Sequence, residues 1–341
     1  MVTTGNTPEL RQVLVTGADG FIGSHLVEHL VRDGYSVRAL ALYNSFGARG
    51  WIDALPAEVV AEVEILSGDV RDSHFIGNAM RGSDAVLHLA ALIAIPYSYA
   101  APESYVQTNV IGTLNVLQAA RANDVSRVLV TSTSEVYGTA QTVPISESHP
   151  LSAQSPYAAT KIAADQLALS YAATYRTPVT IVRPFNTYGP RQSARAVIPT
   201  VITQLAAGRT SIELGSTRPT RDFMFVKDTA AAFAATLQCT AAIGEVLNFG
   251  TGYEVSVGET VRLIAEIMGV EVEVRSVDER IRPDASEVER LVADPSKAMT
   301  MTGWRPTLSG REGLTAGLRE TVDWFSEPGN LARYRVGEYV V

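Results

Sequence analysis

The sequence contains very few of the residues that build disulfide frameworks or metal centres. Its 341 residues include one cysteine, Cys239, so an internal disulfide framework is excluded. Histidine is scarce as well, and no histidine has the ligand spacing with cysteine or carboxylates that metal sites use. We therefore expect no metal site among the five histidines, His25, His29, His74, His88 and His149.

Long apolar runs and an excess of positive charge are also missing. No window approaches the roughly 18 apolar residues of a membrane span. The first eleven residues are polar and lack the apolar region of a signal peptide. The net charge of −8 argues against a surface for nucleic acid. We therefore expect a cytoplasmic protein with neither membrane nor nucleic acid as a partner.

Strands and helices alternate along the first half of the sequence. Apolar segments predict strands at 12–16, 35–40, 63–66, 85–91, 128–130 and 179–184. The segments between them predict helices, among them 24–33, 102–122 and 156–175. This alternation predicts an α/β fold with a doubly wound parallel sheet, the Rossmann arrangement, over residues 1–190.

The pattern is less regular from residue 191 onward. Short strands are predicted at 211–214, 246–249 and 272–274, and helices at 196–207, 227–240 and 257–268. Loops with isolated arginines separate these elements. The pattern predicts a smaller C-terminal α/β substrate lobe over residues 191–341, interleaved with the first domain.

A glycine-rich turn joins the first strand to the first helix. Gly17, Gly20 and Gly23, with Phe21 and Ile22 among them, permit a tight turn. They also allow the backbone to approach a pyrophosphate at the helix N-terminus. In this strand–turn–helix–strand context the turn predicts dinucleotide binding, and a merely flexible turn is the alternative.

Several residues with polar or small side chains lie at the carboxyl ends of the predicted strands. Ligands of open α/β sheets bind where the parallel strands end. We therefore expect convergence of five strand-end residues, Gly17, Asp69, Ala90, Thr133 and Arg183.

The segment from residue 128 to residue 161 carries a set of acid and base groups. Thr133, Ser134 and Glu135 follow a predicted strand, and Tyr157 and Lys161 share one helix face, four residues apart. An unperturbed phenol, with a pKa of about 10, is a weak base. A unit positive charge about 4 Å away contributes roughly 4 kcal/mol and lowers that pKa by at most about three units. We therefore predict that Tyr157 removes a hydroxyl proton while hydride leaves for the cofactor.

Further motifs follow in order along nearly the whole chain. They are Gly17-x-x-Gly20-x-x-Gly23, His88-Leu89-Ala90-Ala91, Asn109, Thr131 to Gly138, Tyr157-x-x-x-Lys161, Arg183 to Pro190, Arg221-Asp222-Phe223, Arg282-Pro283 and Gly303-Trp304-x-Pro306. Together they resemble the extended short-chain dehydrogenase/reductases. The resemblance implies a bound NAD(P), a nucleotide-diphosphate sugar as substrate and a homodimer.

The resemblance also implies roles for individual residues. Cofactor contacts would come from the glycine-rich turn and from Asn44, Ser45, Asp69, Val70, Leu89, Ala90, Ala91, Asn109, Tyr157, Lys161 and Arg183. The nucleotide diphosphate would be held by Asn186, Arg191, Arg221 and Arg282, since a guanidinium group matches phosphate geometry. Sugar specificity would lie in the segments Ile95 to Tyr99 and Ala194 to Thr200, with Ile95, Pro96, Tyr97, Val197 and Ile198 as substrate contacts.

Glu135 is the position that separates the possible reactions. The order Thr-Ser-Glu resembles GDP-mannose 4,6-dehydratases and LegB-type nucleotide-sugar 4,6-dehydratases. Tyr43 to Phe46 and Ile95 to Tyr99 also resemble the LegB group, which acts chiefly on UDP-N-acetylglucosamine. The resemblance implies oxidation at C4, removal of the C5 proton by Glu135, loss of water and hydride return to C6.

Other reactions stay open at this point. Ser134 stands where dTDP-glucose 4,6-dehydratases carry Asp, which weakens a dTDP-glucose assignment. UDP-glucuronate decarboxylases share the Thr-Ser-Glu order, and a UDP-sugar 4-epimerase would use the same Tyr157 and Lys161. A non-catalytic dinucleotide sensor is the alternative from a different class.

The second strand lacks the acid that usually binds the adenosine ribose of NAD. The segment from Arg38 to Asn44 contains no Asp or Glu, which leaves NADP open. No arginine directly follows the strand to hold a 2′-phosphate, since Arg38 belongs to the strand and Arg49 lies further on. We expect NAD as the cofactor.

Overall fold

Parallel strand pairing organises the larger part of the chain. The structure, a computed structural model, describes residues 10–277 and 283–335. Within them the strands are β1 (Gln12–Thr16), β2 (Ser36–Leu42), β3 (Val63–Gly68), β4 (Ala85–His88), β5 (Arg127–Thr131), β6 (Val179–Pro184), β7 (Thr187–Tyr188), β8 (Ser211–Leu214), β9 (Thr220–Arg221), β10 (Met224–Phe225), β11 (Val246–Phe249), β12 (Val255–Ser256), β13 (Glu273–Ser276) and β14 (Arg290–Leu291). Seven of these described strands form one parallel sheet in the order β11-β6-β5-β4-β1-β2-β3. The predicted fold class is confirmed.

Helices cover both faces of this sheet. In the described residues they are α1 (Phe21–Arg32), α2 (Ala57–Ala61), α3 (Ser73–Ala79), α4 (Ile95–Ala100), α5 (Pro102–Tyr105), α6 (Gly112–Ala122), α7 (Pro156–Tyr175), α8 (Val197–Ala206), α9 (Val226–Gln238), α10 (Val257–Met268), α11 (Ser296–Thr302), α12 (Gly310–Ser326) and α13 (Pro328–Leu331). None of these described helices is both long and apolar enough to cross a membrane. Val13 and Val15 pack with α1 and α9, whereas Leu14 packs with α3, α6 and α7 on the opposite face. Burial on both faces explains why the strands are continuously apolar.

A second hydrophobic core lies mostly in the region predicted as the smaller lobe. It is built by α8, α10 and α12 together with the short strands β7, β8, β10 and β12. The strand predicted for this lobe at 246–249 lies elsewhere, because β11 pairs with β6 at the edge of the main sheet and sets Val246 opposite Ile181. Helix α9, also predicted for this lobe, packs in the core of the main sheet. Both assignments were wrong because a short apolar segment does not reveal its distant partner.

Two boundary differences shape the loops at the strand ends. The strand predicted at 85–91 ends at His88, and the chain then leaves the sheet. The helix predicted at 102–122 contains a π-helical turn, Val106–Ile111, between α5 and α6. Asn109 in this turn exchanges two hydrogen bonds with the backbone of Leu92, at 2.8 and 2.9 Å, and donates to Thr160 Oγ1 at 3.1 Å. One amide thereby ties the loop after β4 to helix α7.

Candidate active site

The carboxyl ends of the strands border a cleft of about 770 Å³. Parallel strands end at the same edge of a sheet, so the residues that follow β1, β3, β4, β5 and β6 meet there. The predicted site residues on its wall are Gly17, Gly20, Phe21, Ile22, Gly23, Asp69, Val70, Leu89, Ala90, Ala91, Ile95, Pro96, Tyr97, Thr133, Ser134, Glu135, Tyr157, Lys161 and Asn186.

Other predicted ligands lie away from this wall. Among the described residues they are Asn44, Ser45, Asn109, Arg183, Arg191, Val197, Ile198 and Arg221. Arg282 lies outside the described residues. The wall also includes Arg195, from the segment predicted to set sugar specificity, and residues to which the motifs assigned no role, notably Asp19, Arg71, Gln192 and Ser193.

The glycine-rich turn forms a cradle with no room for side chains. Gly17 has a φ of +67°, and a Cβ there would lie 2.7 Å from the backbone nitrogen of Ala90. A Cβ on Gly23 would lie 2.1 Å from the carbonyl oxygen of Gly17. Helix α1 begins at Phe21, so its free backbone N–H groups face the cleft end of the turn. A cradle of this shape fits the pyrophosphate of a dinucleotide.

Gly17→Ala should destabilise the protein by about 2–5 kcal/mol. The left-handed backbone costs a non-glycine residue about 1–2 kcal/mol, and overpacking against Ala90 costs about 1–3 kcal/mol more. Gly34→Ala is the matched control, because Gly34 has a φ of +85° but no described atom within 4 Å of an added Cβ. Urea unfolding measures both variants, and equal losses of stability would contradict the close approach at Gly17.

Tyr157 and Lys161 lie one turn apart on the cleft side of α7. The first turn of the helix is fixed by Ser155, whose Oγ accepts a hydrogen bond from the amide of Ala158 at 3.1 Å. Lys161 Nζ donates to the carbonyl oxygen of Thr131, the last residue of β5, at 2.6 Å. The ammonium group is thus fixed between helix α7 and the end of β5, which the Thr133-Ser134-Glu135 sequence follows.

The pKa of the phenol is higher than the sequence predicts. Burial raises the pKa of Tyr157 above its ordinary value, a hydrogen bond with Thr133 acts against this, and the charge of Glu135 adds to it. Lys161 does not reverse the shift, and burial lowers the pKa of its own ammonium group against the opposing effect of Asp165. In the protein alone Tyr157 is therefore a neutral phenol. A role as base rests on the positive charge that NAD⁺ brings.

Arg183 is part of a buried network behind the cleft wall. Its Nη2 lies 2.7 Å from Asp165 Oδ2, its Nη1 donates to Tyr137 Oη at 2.6 Å, and its Nε donates to Ser132 Oγ at 3.2 Å. Ser132 Oγ also donates to Asp165 Oδ2 at 2.6 Å. Asp165 follows Lys161 by one helical turn. The network therefore joins helix α7, which carries Tyr157 and Lys161, to Ser132, which precedes Thr133.

The arginines predicted to bind phosphate point in different directions. Arg191, with a φ of +69°, donates to Glu28 of α1 at 2.9 Å. Arg221 lies 3.5 Å from Glu287. Arg195 instead is exposed on the cleft wall. A loop has no helical or strand periodicity, so the sequence did not reveal which of these arginines faces the cleft.

His88 lies fully buried between two hydroxyl groups. Its Nδ1 is 2.8 Å from Thr16 Oγ1, and its Nε2 is 3.1 Å from Thr113 Oγ1. Burial lowers the pKa of His88 from 6.5 to about 3. As the pH falls below 6.5, the unfolded chain therefore binds a proton that the folded chain does not, and the free energy of unfolding decreases.

His88→Gln should flatten the acid dependence of stability. One such proton corresponds to a slope of about 1.4 kcal/mol per pH unit between about pH 6 and pH 4. Urea unfolding at a series of pH values measures this slope in the wild type and the variant. His74→Gln, which removes an exposed histidine, should leave the slope unchanged. An equal slope in the wild type and His88→Gln would contradict the assignment.

Comparison with known proteins defines the class of this site. A family model described as GDP-mannose 4,6 dehydratase matches residues 14–316. Its members are NAD-dependent short-chain dehydrogenase/reductases of the nucleotide-sugar dehydratase and epimerase class. The chain belongs to the GDP-mannose 4,6 dehydratase family. The predicted family is confirmed.

Individual relatives include both dehydratases and epimerases. The dTDP-glucose 4,6-dehydratase of Actinoplanes sp. is 35% identical over 321 residues, which are 92% of this chain and 97% of the relative. One similar crystal structure is that of a double mutant of DesIV, a dTDP-glucose 4,6-dehydratase from Streptomyces venezuelae, with NAD bound. Its sequence is 32% identical, and the two structures align with a TM-score of 0.83 over 93% of this chain and 97% of that chain. Another is that of a UDP-N-acetylglucosamine 4-epimerase from Methanobrevibacter ruminantium in complex with UDP-N-acetylmuramic acid. Its sequence is 29% identical, with a TM-score of 0.83 over 95% of this chain and 99% of that chain. The predicted NAD cofactor is confirmed for this family.

Proposed function

We propose that the protein is a nucleotide-sugar 4,6-dehydratase with UDP-N-acetylglucosamine as its substrate. The observation that carries the proposal is the position of Glu135. It lies on the cleft wall two residues after Thr133, and its charge is close enough to Tyr157 to raise the pKa of the phenol. A 4-epimerase returns hydride to the opposite face of the sugar and needs no base at C5. A carboxylate in this place therefore favours dehydration.

The proposed mechanism divides the proton transfers among the side chains of one strand end and one helix. NAD, when bound, accepts hydride from C4 and returns it to C6. Tyr157 removes the proton of the C4 hydroxyl, Thr133 hydrogen-bonds the same hydroxyl, and Lys161 adds positive charge. The C4 ketone acidifies the C5 hydrogen, which Glu135 removes. Delivery of this proton to the C6 hydroxyl, by Glu135 itself or through Ser134 and a water, releases one water and leaves a C5–C6 double bond. Hydride return to C6 is completed by a proton at C5, which Tyr157 supplies from the proton that it took from the C4 hydroxyl.

The choice of sugar rests on the sequence of the cleft wall. The relatives described as dTDP-glucose 4,6-dehydratases support the reaction. The motif resemblance implies that dTDP-glucose 4,6-dehydratases carry Asp where this chain has Ser134, which weakens the case for dTDP-glucose as the substrate. The segment Ile95 to Tyr99, which resembles the LegB group, contributes Ile95, Pro96 and Tyr97 to the wall. We take it as the segment that selects the N-acetylated hexose.

The remaining predictions belong to the same proposal. They are the homodimer, the cytoplasmic location, the division of the chain near residue 190 and the ligand roles assigned to individual residues. Asn109 and Arg183 act in this proposal by positioning their neighbours, since their polar atoms are hydrogen-bonded within the protein.

Incubation with UDP-N-acetylglucosamine tests the function directly. We expect a product lighter by one water, without net release of NADH, by mass spectrometry and absorbance. An unchanged mass with inversion at C4 would replace the proposal by a 4-epimerase. Carbon dioxide release from UDP-glucuronate would instead identify a decarboxylase. Water loss from a different sugar nucleotide in a panel would keep the reaction and correct the substrate.

A further inference from the structure

The cofactor end of the cleft contains a carboxylate that the second strand lacks. β2 ends at Leu42 without an acid of its own. Asp19, from the glycine-rich turn, reaches this point, and its Oδ2 accepts a hydrogen bond from the backbone amide of Leu42 at 3.1 Å. Both residues line the cleft. A negative charge therefore lies at the strand end where dinucleotide-binding proteins usually carry the acid that binds the ribose.

Backbone contacts from a third segment hold Asp19 in this place. Its carbonyl oxygen accepts a hydrogen bond from the amide of Trp51 at 2.9 Å. Gly50 passes so close that a Cβ there would lie 2.4 Å from the same oxygen, and its φ is +55°. Glycine is required at this position by both the close approach and the backbone conformation. The carboxylate of Asp19 is thus preorganised at the end of β2.

The cationic groups around this strand end already have carboxylate partners. Two arginines of the segments that follow β2 and β3 have Nε–O distances of 2.7 and 3.0 Å in the pairs Arg49–Asp53 and Arg71–Asp69. Of these two, Arg71 lines the cleft. Proteins that bind NADP usually place an arginine against its 2′-phosphate. Here that phosphate would meet paired arginines and the negative charge of Asp19.

We propose that Asp19 binds the adenosine ribose of NAD and is the residue that selects NAD over NADP. Ribose hydroxyls donate hydrogen bonds to a carboxylate, whereas a 2′-phosphate is repelled by it. Burial raises the pKa of Asp19 in the protein alone, which is the direction expected for a carboxylate with too few donors around it. The inference concerns the cofactor and holds for any sugar nucleotide and for either dehydration or epimerisation.

Asp19→Asn tests the inference, because asparagine keeps an acceptor for the Leu42 amide and removes the charge. The purified protein is equilibrated with equal concentrations of NAD⁺ and NADP⁺, and the bound dinucleotides are quantified by mass spectrometry. We expect the wild type to retain NAD⁺, and the ratio of bound NAD⁺ to NADP⁺ to fall about tenfold or more in the variant. This readout does not depend on catalysis.

Asp72→Asn is the matched control for loss of one negative charge. Asp72 is exposed and caps α3 by accepting from the amide of Phe75 at 3.0 Å, a role that asparagine also fills. The ratio of bound NAD⁺ to NADP⁺ in Asp72→Asn should equal that of the wild type. Asp19→Ser, which keeps a shorter acceptor, is measured in parallel in case Asp19→Asn does not fold. A wild-type ratio in either folded Asp19 variant, or an equal fall in Asp72→Asn, would overturn the proposal.

Discussion

Tyr157→Phe should lower kcat by about 10²–10⁴-fold on the sugar nucleotide that the wild type converts. The change removes the group that takes the C4 hydroxyl proton. Oxidation at C4 therefore becomes slow and limits the rate of the whole reaction. Phenylalanine keeps the edge-to-face contact with Tyr105, whose ring centroid lies 6.3 Å away. The helix and the cofactor cradle should therefore stay intact. Product formation and the content of bound NAD are measured together.

Tyr171→Phe is the matched control for this loss. Tyr171 lies on the same helix and has the same exposed fraction, 7%, but is not part of the cleft wall. Loss of the Tyr171 hydroxyl should change kcat by less than about twofold, since substitutions away from functional features have small effects. Retention of wild-type turnover by Tyr157→Phe would instead support the non-catalytic dinucleotide sensor.

Glu135→Gln should separate the two halves of the reaction. Oxidation at C4 should persist, because Tyr157, Thr133 and Lys161 are untouched. Loss of water should fall by about 10²–10⁴-fold, because glutamine does not accept the C5 proton. The backbone amide of Glu135 keeps its bond to Thr133 Oγ1, at 3.2 Å, so the strand end keeps its shape. Rapid-mixing absorbance follows reduced nicotinamide, and mass spectrometry follows water loss.

Two further variants define what a loss in Glu135→Gln means. Ser134→Ala removes the hydroxyl of the proposed water relay, and a fall in water loss there would show that Ser134 participates. Glu103→Gln removes a carboxylate from the exposed part of α5 and should leave both steps unchanged. If Glu135→Gln slowed oxidation and water loss equally, Glu135 would have a structural role and the case for a dehydratase would fail.

Local signals in the sequence were enough to predict several elements to the residue. Helix α7 runs from Pro156 to Tyr175 as predicted, because a proline at the first helical position and the Ser155 cap mark its start. The Rossmann sheet followed from the alternation of apolar strands with helices. The partner of Val246–Phe249 did not, because parallel pairing with β6 depends on contacts between residues far apart in the chain.

The orientation of polar side chains was the least predictable part of the site. Asn44 lies beside the cofactor end, yet its amide donates to the carbonyl oxygens of Leu42 and Ala48 at 3.2 and 2.7 Å within its own loop. Arg183 lies near the end of β6, whose carboxyl end borders the cleft, but its guanidinium pairs with the buried Asp165. Glycines and strand-end residues were easier to place because backbone geometry, which the motifs encode, fixes them.

The single amide of Asn109 also limits how the cleft opens. It joins the backbone at Leu92, in the loop after β4, to Thr160, which lies between Tyr157 and Lys161 in α7. These two sides should therefore move as one rigid block. Gln192, Ser193, Arg195 and Ala196 also line the cleft, and these hydrogen bonds of Asn109 do not include them. We expect hydrogen exchange to be slow around Leu92 and to become slower in residues 192–196 when substrate binds.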